Sequence, residues 1–130
     1  MSDELSILAL YGLVITGIVV LNILTAIPQA GLMTLAGSRD DMPPLTGLPA
    51  RVLRTLDNSV VAMVLFAPAI LLLAHKEAFT DNTLLAAQVF LIARILFIPV
   101  YAFSIPVPFL RTTIWTVGCI AVLSLYIAAL

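Results

Sequence analysis

Residues 51–74 read RVLRTLDNSVVAMVLFAPAILLLA, and the fold follows from how this stretch changes along its length. Its opening carries Arg51, Arg54, Asp57 and Asn58, whereas Ser59 to Ala74 holds no charge at all. At helical spacing, positions 51, 54 and 58 stack on one face. That polar face is expected at, or just inside, one rim of a bilayer, with the uncharged remainder crossing the hydrocarbon. Ionisable side chains at such depth are costly, and are normally paired or functional. The chemistry of the chain is expected near that face.

The rest of the composition agrees with a lipid environment. Of the 130 residues, 62% are hydrophobic and only 10% charged, and the mean hydropathy is +1.19. Soluble domains carry about 25% charged residues, so this is an integral membrane protein. A net charge of −1 and the lack of a basic tract argue against a nucleic-acid partner. The single cysteine, Cys119, excludes an internal disulfide and a cysteine-based metal site. With His75 as the only histidine, no histidine cluster exists within one chain, and no metal is expected.

Upstream, Leu5 to Ile27 is an uncharged run of 23 residues, long enough to span a bilayer. It is too long for a signal-peptide core, and it follows Asp3 and Glu4 rather than a basic segment. Asn22 lies within it and should face protein. Next, Pro28 to Pro49 (PQAGLMTLAGSRDDMPPLTGLP) concentrates four prolines, three glycines and Arg39-Asp40-Asp41, and reads as the one extended non-helical stretch. Downstream, the expected helices cover about residues 48–74, 83–103 and 111–130, with a kink at Pro68. Four up-and-down helices, from about residue 5 onward, form an all-α membrane bundle of one domain, residues 1–130. The first and third connections and adjacent helix ends hold Arg39, Arg51, Arg54 and Arg111, against Lys76 alone on the other side. Positive charge on cytoplasmic loops then places those connections inside and both termini outside.

Arg94 and Tyr101 lie seven residues apart on one face of the third span, and Arg111 and Thr112 open the fourth. With Arg51, Arg54 and Asn58 they are expected to converge on a single leaflet. Carboxylates there are few (Asp57, Asp40 and Asp41), so the surplus is positive and predicts an anion-binding cleft.

Two blocks, GSRDDMPPLTGLPARVLRTLDN (residues 37–58) and ARILFIPVYAFSIPVPFLRTTIWTVG (residues 93–118), resemble the membrane-associated proteins in eicosanoid and glutathione metabolism, the MAPEG family, and most of all its small bacterial branch. The resemblance extends over the chain from about Leu5. It implies a homotrimer of four-helix subunits in a bacterial inner membrane, with glutathione as co-substrate in a cleft between subunits, conjugated to, or reducing, lipophilic small molecules. The family's helix-two Arg and the Asn four residues on match Arg54 and Asn58, while Val61 stands where the family has Glu. The helix-three Arg and Tyr match Arg94 and Tyr101, with Phe97 where several members have His. The Arg that steadies the thiolate, and its hydroxyl neighbour, match Arg111 and Thr112.

A thiol with an ordinary pKa of about 8.5 is mostly protonated at neutral pH, and a guanidinium plus a hydroxyl beside the sulfur favour the nucleophilic thiolate. The resemblance thus assigns Arg111 and Thr112 to catalysis, and Arg54, Asn58, Arg94 and Tyr101 to glutathione; Arg51, as a further grip on its carboxylates, and Asp57 are added as candidate contacts. Asp57, one turn from Val61, either stands in for the missing carboxylate or neutralises Arg54 or Arg94. Blander roles stand beside these: Arg51 snorkelling to headgroups, Asn58 bonding between helices, Tyr101, Trp115 and Tyr126 in an interfacial belt. Cys119 reads as a small packing residue, His75 and Lys76 as solvated, and Gly12 and Gly17 as close-packing positions. A non-catalytic trimer that binds an anionic lipid or partner is the alternative function.

Overall fold

The computed structural model describes residues 3–40 and 42–130, which form α1 (Glu4–Ala30), α2 (Leu32–Ala36), α3 (Leu48–His75), α4 (Asp81–Ala102) and α5 (Leu110–Ala129). Asp41 lies outside the described residues. All but α2 are long and apolar enough to cross a membrane. They run alternately up and down. At one end Glu4 meets Thr83 and Lys76 reaches Ala129; at the other Arg51 reaches Ala102. The central pair is α3 and α4, which touch each other and both outer helices, while α1 and α5 occupy opposite corners. Half of the α4 span is buried but only 17% of the α1 span, so α1 presents most of its surface outward.

The first boundary differs from the sequence reading. α1 continues through Pro28, and α2 occupies part of the stretch expected to be non-helical. Proline removes one N–H and the bond to the carbonyl four residues back, which is a small loss in a last turn. The Gly31 N–H closes that turn on Ile27 O at 2.8 Å. Gly31, at φ +85°, then redirects the chain into α2. The Gln29 amide bonds both backbone groups of Thr46, at 2.9 and 3.0 Å, so the first connection is folded back on α1. α4 starts two residues before the expected Thr83, because Thr80 and Thr83 form a reciprocal capping box.

The core is organised by three aromatic rings. Phe66 and Phe90 stack at 4.0 Å, and Tyr11 meets Phe90 edge-on at 5.0 Å. The Tyr11 hydroxyl donates to Ser59 O at 2.8 Å, tying α1 to α3 where both are buried. α3 stays helical through Pro68. The Tyr126 hydroxyl donates to Leu65 O at 2.6 Å, one residue past the Val64 carbonyl that Pro68 leaves without its helical partner. Tyr126 therefore reaches into the bundle, contrary to its expected interfacial place. Lys76 is not simply solvated either: its ammonium donates to Ala129 O and closes the end of α5. A Cβ at Gly12 would meet Met63 at 3.9 Å, whereas one at Gly17 would meet nothing within 4 Å among the described residues of the subunit.

Lipid already solvates apolar side chains, so contacts and buried hydrogen bonds hold this bundle together. Tyr11→Phe should destabilise it by about 0.6–1.7 kcal/mol, the range for such bonds in membrane bundles. Phe66→Ala, which removes a ring from the stack, should cost about 3–5 kcal/mol. Reversible unfolding in mixed micelles measures both.

Candidate functional site: an arginine-lined cleft and the pockets below it

At the end where α3 and α5 begin and α4 stops, three local structures meet. Gly47, at φ +66°, turns the chain into α3, and Pro49 sits in its first turn. The Arg51 Nε donates to Ala102 O at 2.8 Å, tying the start of α3 to the end of α4. Residues 103–109 (FSIPVPF) pass to α5 with Ser104 and Phe109 both left-handed, at φ 51° and 62°. A bulky residue is rarely left-handed. Here it makes a short connection that leaves the first N–H groups of α5 without side-chain caps.

Between these ends lies a cleft of about 460 Å³ lined by Arg51, Arg54, Tyr101, Ser104, Arg111 and Thr112 together with apolar residues of the connection. The guanidinium carbons of Arg111 and Arg54 lie 4.9 and 6.0 Å from the centre of the Tyr101 ring. The ring thus spaces two cations that would otherwise repel. Tyr101 is half-buried in this role. Among the described residues, the wall holds three arginines and no carboxylate. Asp57 is exposed and does not line it.

Arg94 is elsewhere. Only 3% exposed, it sits deeper in the bundle, where it donates to Ser59 Oγ at 3.1 Å and lies 4.4 Å from the centre of the Phe97 ring. Its Nε has no hydrogen-bond partner. Asn58 lies between the two levels. With Phe97 and Trp115 it joins Tyr101, Arg111 and Thr112 around a second pocket of about 310 Å³. With Arg94, Val61, Cys119 and Trp115 it borders a third, mostly apolar pocket of about 220 Å³. Asn58 Oδ1 is also buried and accepts no hydrogen bond from the described residues, so the alternative role of bonding between helices is not filled through this oxygen. Leaving such a group unsatisfied costs about 1–3 kcal/mol.

The three pockets share walls and form one descending series, from arginine-rich rim to apolar interior. Of the residues expected at the site, Arg51, Arg54, Tyr101, Arg111 and Thr112 meet at the rim. Asn58 marks the middle, and Arg94 stands below. Val61 lies one turn beyond Asn58 on the deep pocket rather than at the rim. Trp115, Cys119 and Tyr126, expected to belong to belt or packing, line the lower pockets. Their shared α5 face, at positions 115, 119, 122 and 126, was the available signal.

An oxyanion is the natural ligand for the rim, since arginine forks match its oxygens. Trp115 is the sole tryptophan and borders the pocket containing Arg111, so its emission should change when sulfate is titrated in. Arg111→Ala should weaken that response about tenfold, and added chloride salt should weaken it in both proteins.

The sequence model of the MAPEG family matches residues 5–130. No curated protein and no solved structure matches the chain.

Proposed function

Because this chain belongs to the MAPEG family, we propose that its rim cleft binds glutathione and presents the sulfur, as thiolate, to lipophilic electrophiles or hydroperoxides. The observation that carries this reading is the convergence of Arg51, Arg54 and Arg111 on one cleft with Tyr101, on a wall that holds no carboxylate among the described residues. Glutathione carries two carboxylates, and Arg51 and Arg54 offer paired donors for them. Arg111 and Thr112 then stand beside the sulfur, at the start of α5, where uncapped N–H groups and the helix dipole add positive potential. Such donors stabilise the thiolate against its ordinary pKa of about 8.5. In conjugation the thiolate forms a C–S bond and the electrophile's leaving group departs with its electron pair. The apolar pockets around Trp115 supply a lipid-side approach for that partner.

In this reading the subunits assemble as a homotrimer, with the first and third connections facing the cytoplasm. The outward α1 surface, where Leu13 and Leu24 are well exposed, serves lipid and neighbouring copies. Val61 and Phe97 favour the second reading, a non-catalytic trimer whose cleft holds an anionic lipid headgroup. Neither side chain supplies the charge or proton carrier that stands at its position in glutathione-using relatives.

Calorimetry of the detergent-purified protein with glutathione separates the two. Binding that Arg111→Ala weakens about tenfold or more, or 1.4 kcal/mol, supports the thiolate site, and turnover of a model electrophile should fall with it. No heat at millimolar glutathione overturns it for this chain. Binding without turnover of any electrophile or hydroperoxide leaves a ligand-holding protein.

A further inference from the structure

The two ends of the bundle are built differently. At one end the spans finish level: Glu4 at the start of α1 meets Thr83 in the first turn of α4, and Lys76 just after α3 reaches Ala129 at the end of α5. The helices differ in length, however. α1 and α3 have 27 and 28 residues, α4 and α5 only 22 and 20. At 1.5 Å per residue the longer pair overhangs the shorter by roughly 10 Å of helix. A step results at the rim end, and residues 103–109 lie at its foot. α4 and α5 are each about 30 Å long, the thickness of the hydrocarbon core, so this connection sits at that boundary. The first connection, pinned to Gln29 in the last turn of α1, stands above it.

The chemistry of FSIPVPF suits that depth. It holds no charge. Phe103 and Phe109 are 68% and 80% exposed, and Ile105 and Val107 also turn outward. Four of its five N–H groups, those of Phe103, Ser104, Ile105 and Val107, bond to carbonyls of the segment or of the last turn of α4, and Pro106 and Pro108 have none. A segment that faces lipid needs its backbone donors satisfied in this way. The connection at the opposite end has the reverse pattern: Lys76 and Glu77 are exposed, and Phe79 packs inward on the core.

We infer that residues 103–109 are not an aqueous loop but an interfacial anchor, immersed in the leaflet at the rim end with Phe103 and Phe109 in the acyl–glycerol zone of the phospholipids. Ile105, Val107 and Phe109 line the same cleft as Arg51, Arg54 and Arg111. Aromatic and aliphatic side chains beside basic ones are what hold a segment in the interface plane, and the guanidinium ions meet the phosphate groups just above. The lip of the cleft is then lipid rather than water, whichever ligand the arginines hold.

Tryptophan reporters read the depth. The sole tryptophan is removed by Trp115→Phe, and Phe109→Trp or Phe103→Trp is added; Ser38→Trp, in the charged first connection, is the comparison. The full protein is reconstituted in phosphatidylcholine vesicles. Acrylamide quenches from water, and phosphatidylcholine brominated near the glycerol end or near the methyl end of its acyl chains quenches from lipid. Reporters at 109 and 103 should lose about half of their emission or more to the glycerol-end bromines, the depth of an interfacial segment, and less to the methyl-end bromines. Acrylamide should quench them several-fold less than the reporter at 38. Strong acrylamide quenching without an effect of brominated lipid would put the connection in water. Quenching by none of the three would mean that a second copy of the chain covers it, and strongest quenching by methyl-end bromines would put it at the bilayer centre. Each of these outcomes overturns the proposal. The two reporter positions keep the test decisive if the left-handed backbone at 109 rejects the larger ring.

Discussion

A guanidinium ion held almost wholly out of solvent, in the middle of a membrane span, is the constraint on which this bundle depends. Arg94 has no carboxylate in contact; a serine hydroxyl at 3.1 Å and an aromatic face at 4.4 Å are what it has. Ionised groups in this setting are tolerated only where protein surrounds them. That requirement fixes the neighbours. Ser59 turns inward on α3, Phe97 lies on the rim side of the charge on α4, and Gly118 on α5 faces the arginine's stem. Ser59 also accepts the Tyr11 hydroxyl through its carbonyl, so one residue of α3 links the charge to α1. All four spanning helices are positioned by a single polar centre.

The polarity gradient toward the rim follows from the same arrangement. Cations can accumulate where headgroups and water screen them, and Arg51, Arg54 and Arg111 all lie at helix starts. Deeper, polar groups persist where the protein itself surrounds them, and Arg94 is the one charged side chain on the wall of the deepest pocket. The series of pockets therefore runs from charge-rich to nearly apolar within a few turns.

Much of this was legible in the chain. The spans were plain because lipid imposes a length and a near-absence of charge, and both are one-dimensional properties. The rim residues were legible because helical spacing stacks 51 and 54, and because helix starts bring 111 and 112 to the same end. What could not be read was depth across helices. Arg94 and Tyr101 share a face seven residues apart, yet about 10 Å of rise along the axis separates a rim site from an interior one. Pro28 misled because proline's cost depends on how many turns follow it, and only Gly31 settles that. Tyr126 and Lys76 escaped because their partners are backbone carbonyls, which leave no trace in residue type.

Phe109 offers a different kind of lesson. A glycine at that left-handed position would relieve the backbone and give α4 and α5 an elastic joint. Phenylalanine, preceded by Pro106 and Pro108, makes the connection stiffer instead. The spacing between Tyr101 and Arg111, 4.9 Å from ring centre to guanidinium carbon, is then set by a connection with little freedom to lengthen, so the width of the cleft is written into the backbone of residues 103–109.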